Sequence, residues 1–240
     1  MTNGSYKMKN LVEISAMVTE STDFFNIKDD IIEKMLEVVH PTKACVNLFY
    51  KNDSKYAYLV CSQTLEYVPQ IFPINSLKGA KIDFDTYPEY IHEAVNEKKI
   101  IYVENVFEDS RAEGERDLAK AEGYIGRIVF PFIINNVVVG FMTCFLKEDD
   151  YLTEQDIDFI SSVASLLSLS IEITNKNNNV QILIDKLRGS ISAINEATKK
   201  LYLNKSIDGF LENLSKQACN ITNSKEALII INSHHNKDAI

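Results

Sequence analysis

The spacing of apolar residues changes along the chain, and each change predicts a new element. Leu11, Ile14 and Val18 recur at steps of three and four, the spacing of one helix face, so a helix opens the fold. Ile31, Ile32, Met35 and Val39 line one side of a second helix over 29–39, which Pro41 ends. Residues 44–50 and 56–62 read as two strands joined by the turn cluster Lys51-Asn52-Asp53-Ser54. Residues 64–77 carry two prolines and no clear period, which predicts a loop. A short helix over 87–98 and a strand over 99–103 follow. The charged stretch 109–122 has few apolar anchors and reads as a surface helix or a lid.

Residues 127–146 are apolar for about the length of a membrane span. Pro131, Asn135-Asn136 and Gly140 interrupt them, and β-branched residues are frequent. Two strands joined at Asn135-Asn136 account for this better, because Asn tolerates the positive φ of a tight hairpin. No membrane span is therefore expected.

Thr153 is a candidate N-cap, with Asp156 placed for reciprocal capping. The helix that follows carries Ile157, Ile160, Val163, Leu167 and Ile171 on a core-facing stripe. After the polar stretch 175–179 the apolar positions resume at Val180, Ile184, Leu187, Ile191, Ile194 and Leu201, with Thr198 in the seam. The four-three alternation is a heptad seam, with Ile184 and Ile191 at a and Leu187, Ile194 and Leu201 at d. It favours a parallel two-stranded coil, hence a homodimer. The competing reading packs the stripe on the chain's own domain.

The chain also echoes itself. Ile14-Ser15-Ala16-Met17 returns as Ile191-Ser192-Ala193-Ile194, and Ile31-Ile32-Glu33-Lys34-Met35 as Phe210-Leu211-Glu212-Asn213-Leu214. The strand 44–50 returns as 227–233. Three echoes in one order predict a full unit followed by the opening of a second. A lone strand at Leu228-Ile229-Ile230-Ile231 would leave its edges and apolar face unsatisfied. The polypeptide is thus expected to be the N-terminal part of a longer protein, or a remnant of one.

Composition narrows the functional classes. The 240 residues are 45% hydrophobic and 25% charged, enough for a core without disulfide or metal staples. Their 34 acids against 25 bases give a net charge of -9, which argues against a nucleic-acid surface. Cys45, Cys61, Cys144 and Cys219 are scattered without CxxC or zinc spacing. Free thiols and a polar N-terminus without a signal peptide point to the cytoplasm. No P-loop, GxGxxG, HExxH or GxSxG occurs, and no catalytic constellation or metal site is expected. Asp29-Asp30 and Asp149-Asp150 read as solvated element boundaries, His40 as a helix-end residue, and His234-His235 lack further ligands.

The ordered set Ile100-Ile101-Tyr102-Val103-Glu104-Asn105-Val106, Asp109-Ser110-Arg111, Ile128-Val129-Phe130-Pro131-Phe132, Val138-Val139-Gly140-Phe141-Met142 and Tyr151-Leu152-Thr153-Glu154-Gln155-Asp156 resembles the GAF domain, a small-molecule sensing module. The resemblance covers residues 11–174. It implies an α+β fold: a central, mainly antiparallel sheet of five to six strands, helices on one face, a pocket on the other, and a long C-terminal linker helix. Together with the heptad seam and the internal repeat, it divides the chain into a sensory domain (1–174), a coiled-coil linker (175–204) and a truncated second unit (205–240). It implies a signalling sensor that binds a small molecule, dimerises, or both, and passes its state through terminal helices to an output domain. The ligand, and any cofactor, is left unidentified.

The same topology nominates Tyr58, Phe84, Tyr102, Phe107, Leu118, Tyr124 and Val129 as pocket residues, with core packing the competing reading for each. Arg111 and Arg127 are candidates to pair with an anion, against simple surface solvation. The cyclic-nucleotide signature of the family does not occur in order, and no cysteine has the His neighbour that bilin attachment would suggest. Free methionine sulfoxide reductases of this family need clustered cysteines. Cys45, Cys61 and Cys144 fall on predicted strands and read instead as buried small hydrophobes.

Overall fold

The computed structural model describes residues 3–50, 53–64, 79, 81–148, 150–204 and 207–230. They belong to two compact units, Met1–Asn175 and Lys176–Ile240.

The first unit opens with α1 (Asn3–Glu20) and α2 (Phe24–Val39). Helix α2 begins ahead of residue 29 because the Asp23 carboxylate caps it, accepting from the Phe25 N–H at 2.9 Å. It ends where His40 turns left-handed (φ 59°) and its N–H donates to the Leu36 carbonyl. Strands β1 (Lys43–Tyr50), β2 (Asp53–Thr64) and β3 (Lys81–Asp83) follow, then α3 (Glu89–Glu97) and β4 (Ile101–Val103). The charged stretch becomes a 3-10 segment, Ser110–Glu115, running into α4 (Arg116–Glu122). The hairpin is β5 (Gly126–Ile134) and β6 (Val137–Leu146), turned by Asn135 (φ 49°) and Asn136 (φ 64°). Positive φ at both central residues is the turn that matches strand twist. From residue 65 the expected loop lies outside the described residues, apart from Gly79.

The six strands form one antiparallel sheet in the order β3-β2-β1-β6-β5-β4. Strand alternation divides its side chains between two cores. Ala44, Val46, Ile128, Phe130, Met142 and Cys144 face the first, with Ile14, Ile31 and Met35 of α1 and α2. Cys45, Val129, Phe141 and Phe145 face the second, with Tyr90 and Ile91 of α3 and Ala119 of α4. A bulge between Val46 and Asn47 leaves Val60 unpaired, so Leu59 and Ser62 both reach the second face.

Helix α5 (Glu154–Asn204) starts with the expected capping pair: the Thr153 N–H donates to Asp156 Oδ2 at 2.8 Å, and the Asp156 N–H to Thr153 Oγ1 at 3.2 Å. Phe159, Ile160, Val163, Ala164, Leu167 and Ile171 complete the first core. Residues Glu154–Glu196 are long and apolar enough to cross a membrane by length and composition, yet half of the most apolar window is buried in the protein. The polar stretch 175–179 does not break the helix.

In the second unit the helix continues to Asn204, and α6 (Ile207–Thr222) follows. Gln217 Nε2 donates to Glu196 Oε2 at 3.4 Å. Contrary to the repeat reading, residues 227–230 form no strand. A strand needs a hydrogen-bonded neighbour, and Leu228 and Ile230 are instead exposed. The rest of that expected strand, 231–233, lies outside the described residues.

Candidate functional site

The second sheet face holds a cavity of about 520 Å³. Its floor is Lys43, Cys45 and Asn47 of β1, Leu59 and Ser62 of β2, Arg127 of β5, and Thr143 and Phe145 of β6. Its lid is the 3-10 segment with α4, contributing Arg111, Glu113, Glu115, Leu118 and Glu122. Tyr87, Pro88 and Glu89, at the start of α3, form a side wall.

Charged pairs tie the lid to the floor. Glu122 at the end of α4 accepts from Lys43 Nζ at 2.8 Å. Glu115 accepts from Arg127 and, at 2.6 Å, from the Tyr90 hydroxyl. All four ionised side chains of these pairs are about nine-tenths buried or more. The Arg127 guanidinium also stacks 4.4 Å from the Phe145 ring centre, a cation–π contact. Burial opposes its charge, but Tyr90 and Glu115 outweigh that and hold Arg127 above the ordinary guanidinium range. Arg127 is therefore not a solvated surface residue; the alternation of β5 turns it inward. Arg111 is fastened inside the lid, donating to Asp109 Oδ2 at 2.6 Å and to Glu93 of α3.

Polar atoms remain unsatisfied here. Arg127 Nε and Thr143 Oγ1 are buried without a hydrogen-bond partner. Both residues line the cavity. Tyr87 donates to Asn47 Oδ1 at 3.1 Å, and burial pushes its hydroxyl pKa up.

Of the seven pocket residues expected from topology, Leu118 alone lines the cavity. Phe84, Tyr124 and Val129 pack in the second core around it. Tyr58 pairs across the sheet with Leu48, which faces the first core, so it points to the opposite face. Tyr102 alternates with buried Ile101 and Val103 and is exposed, as is Phe107. The residues missed, Lys43, Asn47 and Thr143, share one signal: each is a polar position on the cavity-facing register of an otherwise apolar strand.

The thiols do not converge. Cys45 faces the cavity and contacts Ser62 Oγ at 3.2 Å. Cys61 and Cys144 belong to the first core, across the sheet. Burial pushes all three thiols up, away from the reactive thiolate. Among the described residues no cluster of three or more His, Cys, Asp or Glu side chains is placed to hold a metal ion.

Solved structures share this architecture at low identity. The GAF domain of a phosphoenolpyruvate-protein phosphotransferase from Coxiella burnetii aligns with a TM-score of 0.61 at 14% identity, covering 74% of this chain and 99% of that one. A free methionine-R-sulfoxide reductase from Neisseria meningitidis, solved with its substrate, gives 0.57 at 14% identity, covering 74% and 95%. The bacteriophytochrome RpBphP3 from R. palustris gives 0.63 at 9% identity, covering 89% of this chain and 45% of that one. No curated protein matches the sequence significantly. Residues 29–172 match the family model described as the GAF domain, and the chain belongs to the GAF domain family.

Proposed function

We propose that this chain is a cytoplasmic signalling sensor module. Its cavity binds a small molecule, its terminal helix pairs with a second copy, and the pair passes occupancy to an output domain. The observation that carries the reading is the cavity itself. Its volume suits a small metabolite, and its wall combines apolar surface with charged and polar side chains, several of them fixed by mutual pairing. The helix supports the second half. Val180, Ile184, Leu187, Ile191 and Ile194 are all exposed, an apolar stripe without cover among the described residues. The side chain of Leu201, the last seam position, lies outside those described. Signalling also requires that the ligand prefer one of two helix arrangements.

A reductase role is disfavoured by the sheet, which separates Cys45 from Cys61 and Cys144. Native mass spectrometry of the full chain tests the proposal. A dimer carrying a discrete extra mass is expected, and Leu187→Glu should yield the monomer. A bare monomer from the unaltered chain would overturn both halves. A Leu187→Glu dimer would move the interface elsewhere.

A further inference from the structure

Resting on that binding reading, we propose that the cavity takes an uncharged ligand bearing an amide or lactam carbonyl and discriminates against the matching carboxylate. Recognition of an anion needs a cation free to pair with it. Each of the three basic residues that line the wall among the described residues is already neutralised: Lys43 by Glu122, Arg127 by Glu115, and Arg111 by Asp109 and Glu93. Among the described residues the wall itself carries four carboxylates, Glu89, Glu113, Glu115 and Glu122, against those three bases. An entering carboxylate would face this excess or strip a lid carboxylate from its partner, leaving a buried charge uncompensated.

What the floor offers instead is hydrogen bonding without spare charge. Arg127 Nε and Thr143 Oγ1 are both unpartnered donors, and both residues are more than nine-tenths buried. Thr143 pairs with Val129, two residues from Arg127 on the adjacent strand, so the two are diagonal neighbours on one face. One χ1 step re-aims the Thr143 hydroxyl. A carbonyl oxygen satisfies such donors and leaves both lid pairs intact. Leu59, Ile82, Leu118 and Phe145 supply apolar surface for the rest of the molecule.

The test is a matched probe pair, nicotinamide and nicotinate, titrated into the full chain and followed by backbone amide NMR. Nicotinamide should shift Arg127, Thr143 and Phe145 and bind about tenfold tighter than nicotinate, because the wall carboxylates repel the nicotinate charge. Glu122→Gln keeps the shape but frees the charge on Lys43, and should reverse that preference. Thr143→Val should weaken nicotinamide by about three- to tenfold, the value of one net hydrogen bond. Nicotinate binding as tightly as nicotinamide at these residues would overturn the charge argument while leaving a ligand-binding module. An unchanged preference in Glu122→Gln would overturn it too. An unchanged affinity in Thr143→Val would overturn the carbonyl contact. If neither probe shifts these residues, the ligand class fails. A small molecule retained in native mass spectrometry would then still preserve the sensor reading, whereas a bare chain would end both.

Discussion

Glu115 is the residue on which the closed lid most depends, and replacing it by alanine measures that dependence. Its carboxylate is 4% exposed and serves two donors, Arg127 and the Tyr90 hydroxyl. In Glu115→Ala the guanidinium stays buried, because its stacking on Phe145 and the position of β5 do not change. Glu122 is the other wall carboxylate at the lid–floor junction, and Lys43 already holds it. Removing one partner of a buried pair costs about 3–5 kcal/mol. The lost acceptor of Tyr90 adds about 1 kcal/mol. Glu115→Ala should therefore lower the unfolding free energy of the first unit by at least about 3 kcal/mol. The double variant Glu115→Leu/Arg127→Met removes both charges at similar volume, and should recover most of that loss. The chain has no tryptophan but 11 tyrosines, so urea unfolding is followed by near-ultraviolet tyrosine signals, which weight the first unit. A loss below about 1 kcal/mol for the single variant would mean that water or the lid's own mobility compensates Arg127. A double variant as unstable as the sum of its parts would refute the pairing altogether.

Three further outcomes follow from single contacts. In Gly140→Ala the new Cβ would lie 2.3 Å from the Asn47 carbonyl oxygen, a backbone atom of the paired strand, so β1 and β6 must part. A stability loss of about 1–3 kcal/mol is expected, and an unchanged melting temperature would contradict the close strand approach. Thiol labelling of the native protein should find one fast cysteine, half-buried Cys219, and four after denaturation; rapid labelling of Cys45 would mean that the lid opens readily. Asp156 is partly buried, which acts to raise its pKa, but Lys7 at 2.6 Å and Thr153 outweigh this and hold the carboxyl below its usual value. A lowered carboxylate stabilises the fold above its unfolded pKa of about 3.9, and that contribution disappears as pH falls through the folded value. The stability gap between the parent and Asp156→Asn should thus be widest near neutrality and close below about pH 4; a gap constant down to pH 2 would sink the assignment.

The sequence revealed most where one local rule decides the backbone. Asn135-Asn136 and the Thr153/Asp156 pair dictate a turn and a helix start through their own side chains, and both stand where expected. The start of α2 is harder to read: Phe24 extends the core-facing stripe, but polar Asn26, Lys28, Asp29 and Asp30 crowd the stretch between it and Ile31. The cavity was harder to see, for two physical reasons. Five of the seven residues that topology nominates are aromatic, yet aromatics on this sheet serve mainly to pack the second core, as Phe84 and Tyr124 do. The bulge opposite Val46 also shifts the parity of β2 halfway along. No reading of strict alternation could place Leu59 and Ser62 on one face. Nor does any local pattern reveal that Glu115 and Arg127, on separate elements, meet beneath the lid. That contact depends on how the chain returns to the sheet edge at β4 and re-enters at β5.

The sheet also limits how occupancy can be felt beyond the cavity. Thr143 and Phe145 of β6 form floor, while Met142 and Cys144 between and beside them pack in the first core with Phe159, Ile160 and Val163 of α5. One strand therefore contributes to the cavity floor on one side and, on the other, to the core in which α5 packs. In the connection from β6 to α5, the Asp150 side chain makes two hydrogen bonds: it accepts from the Lys147 N–H at 2.8 Å and from the Thr42 hydroxyl, just before β1, at 2.6 Å. Close-packed cores shift between discrete arrangements more readily than they stretch. The lid enters the same balance. Lys43 and Arg127, which hold Glu122 and Glu115, lie on β1 and β5, the two neighbours of β6. A ligand that alters either lid pair acts on the strands flanking the one that carries α5. Its influence on the helix is set by the difference between its contacts in the two arrangements, not by how tightly it binds in either.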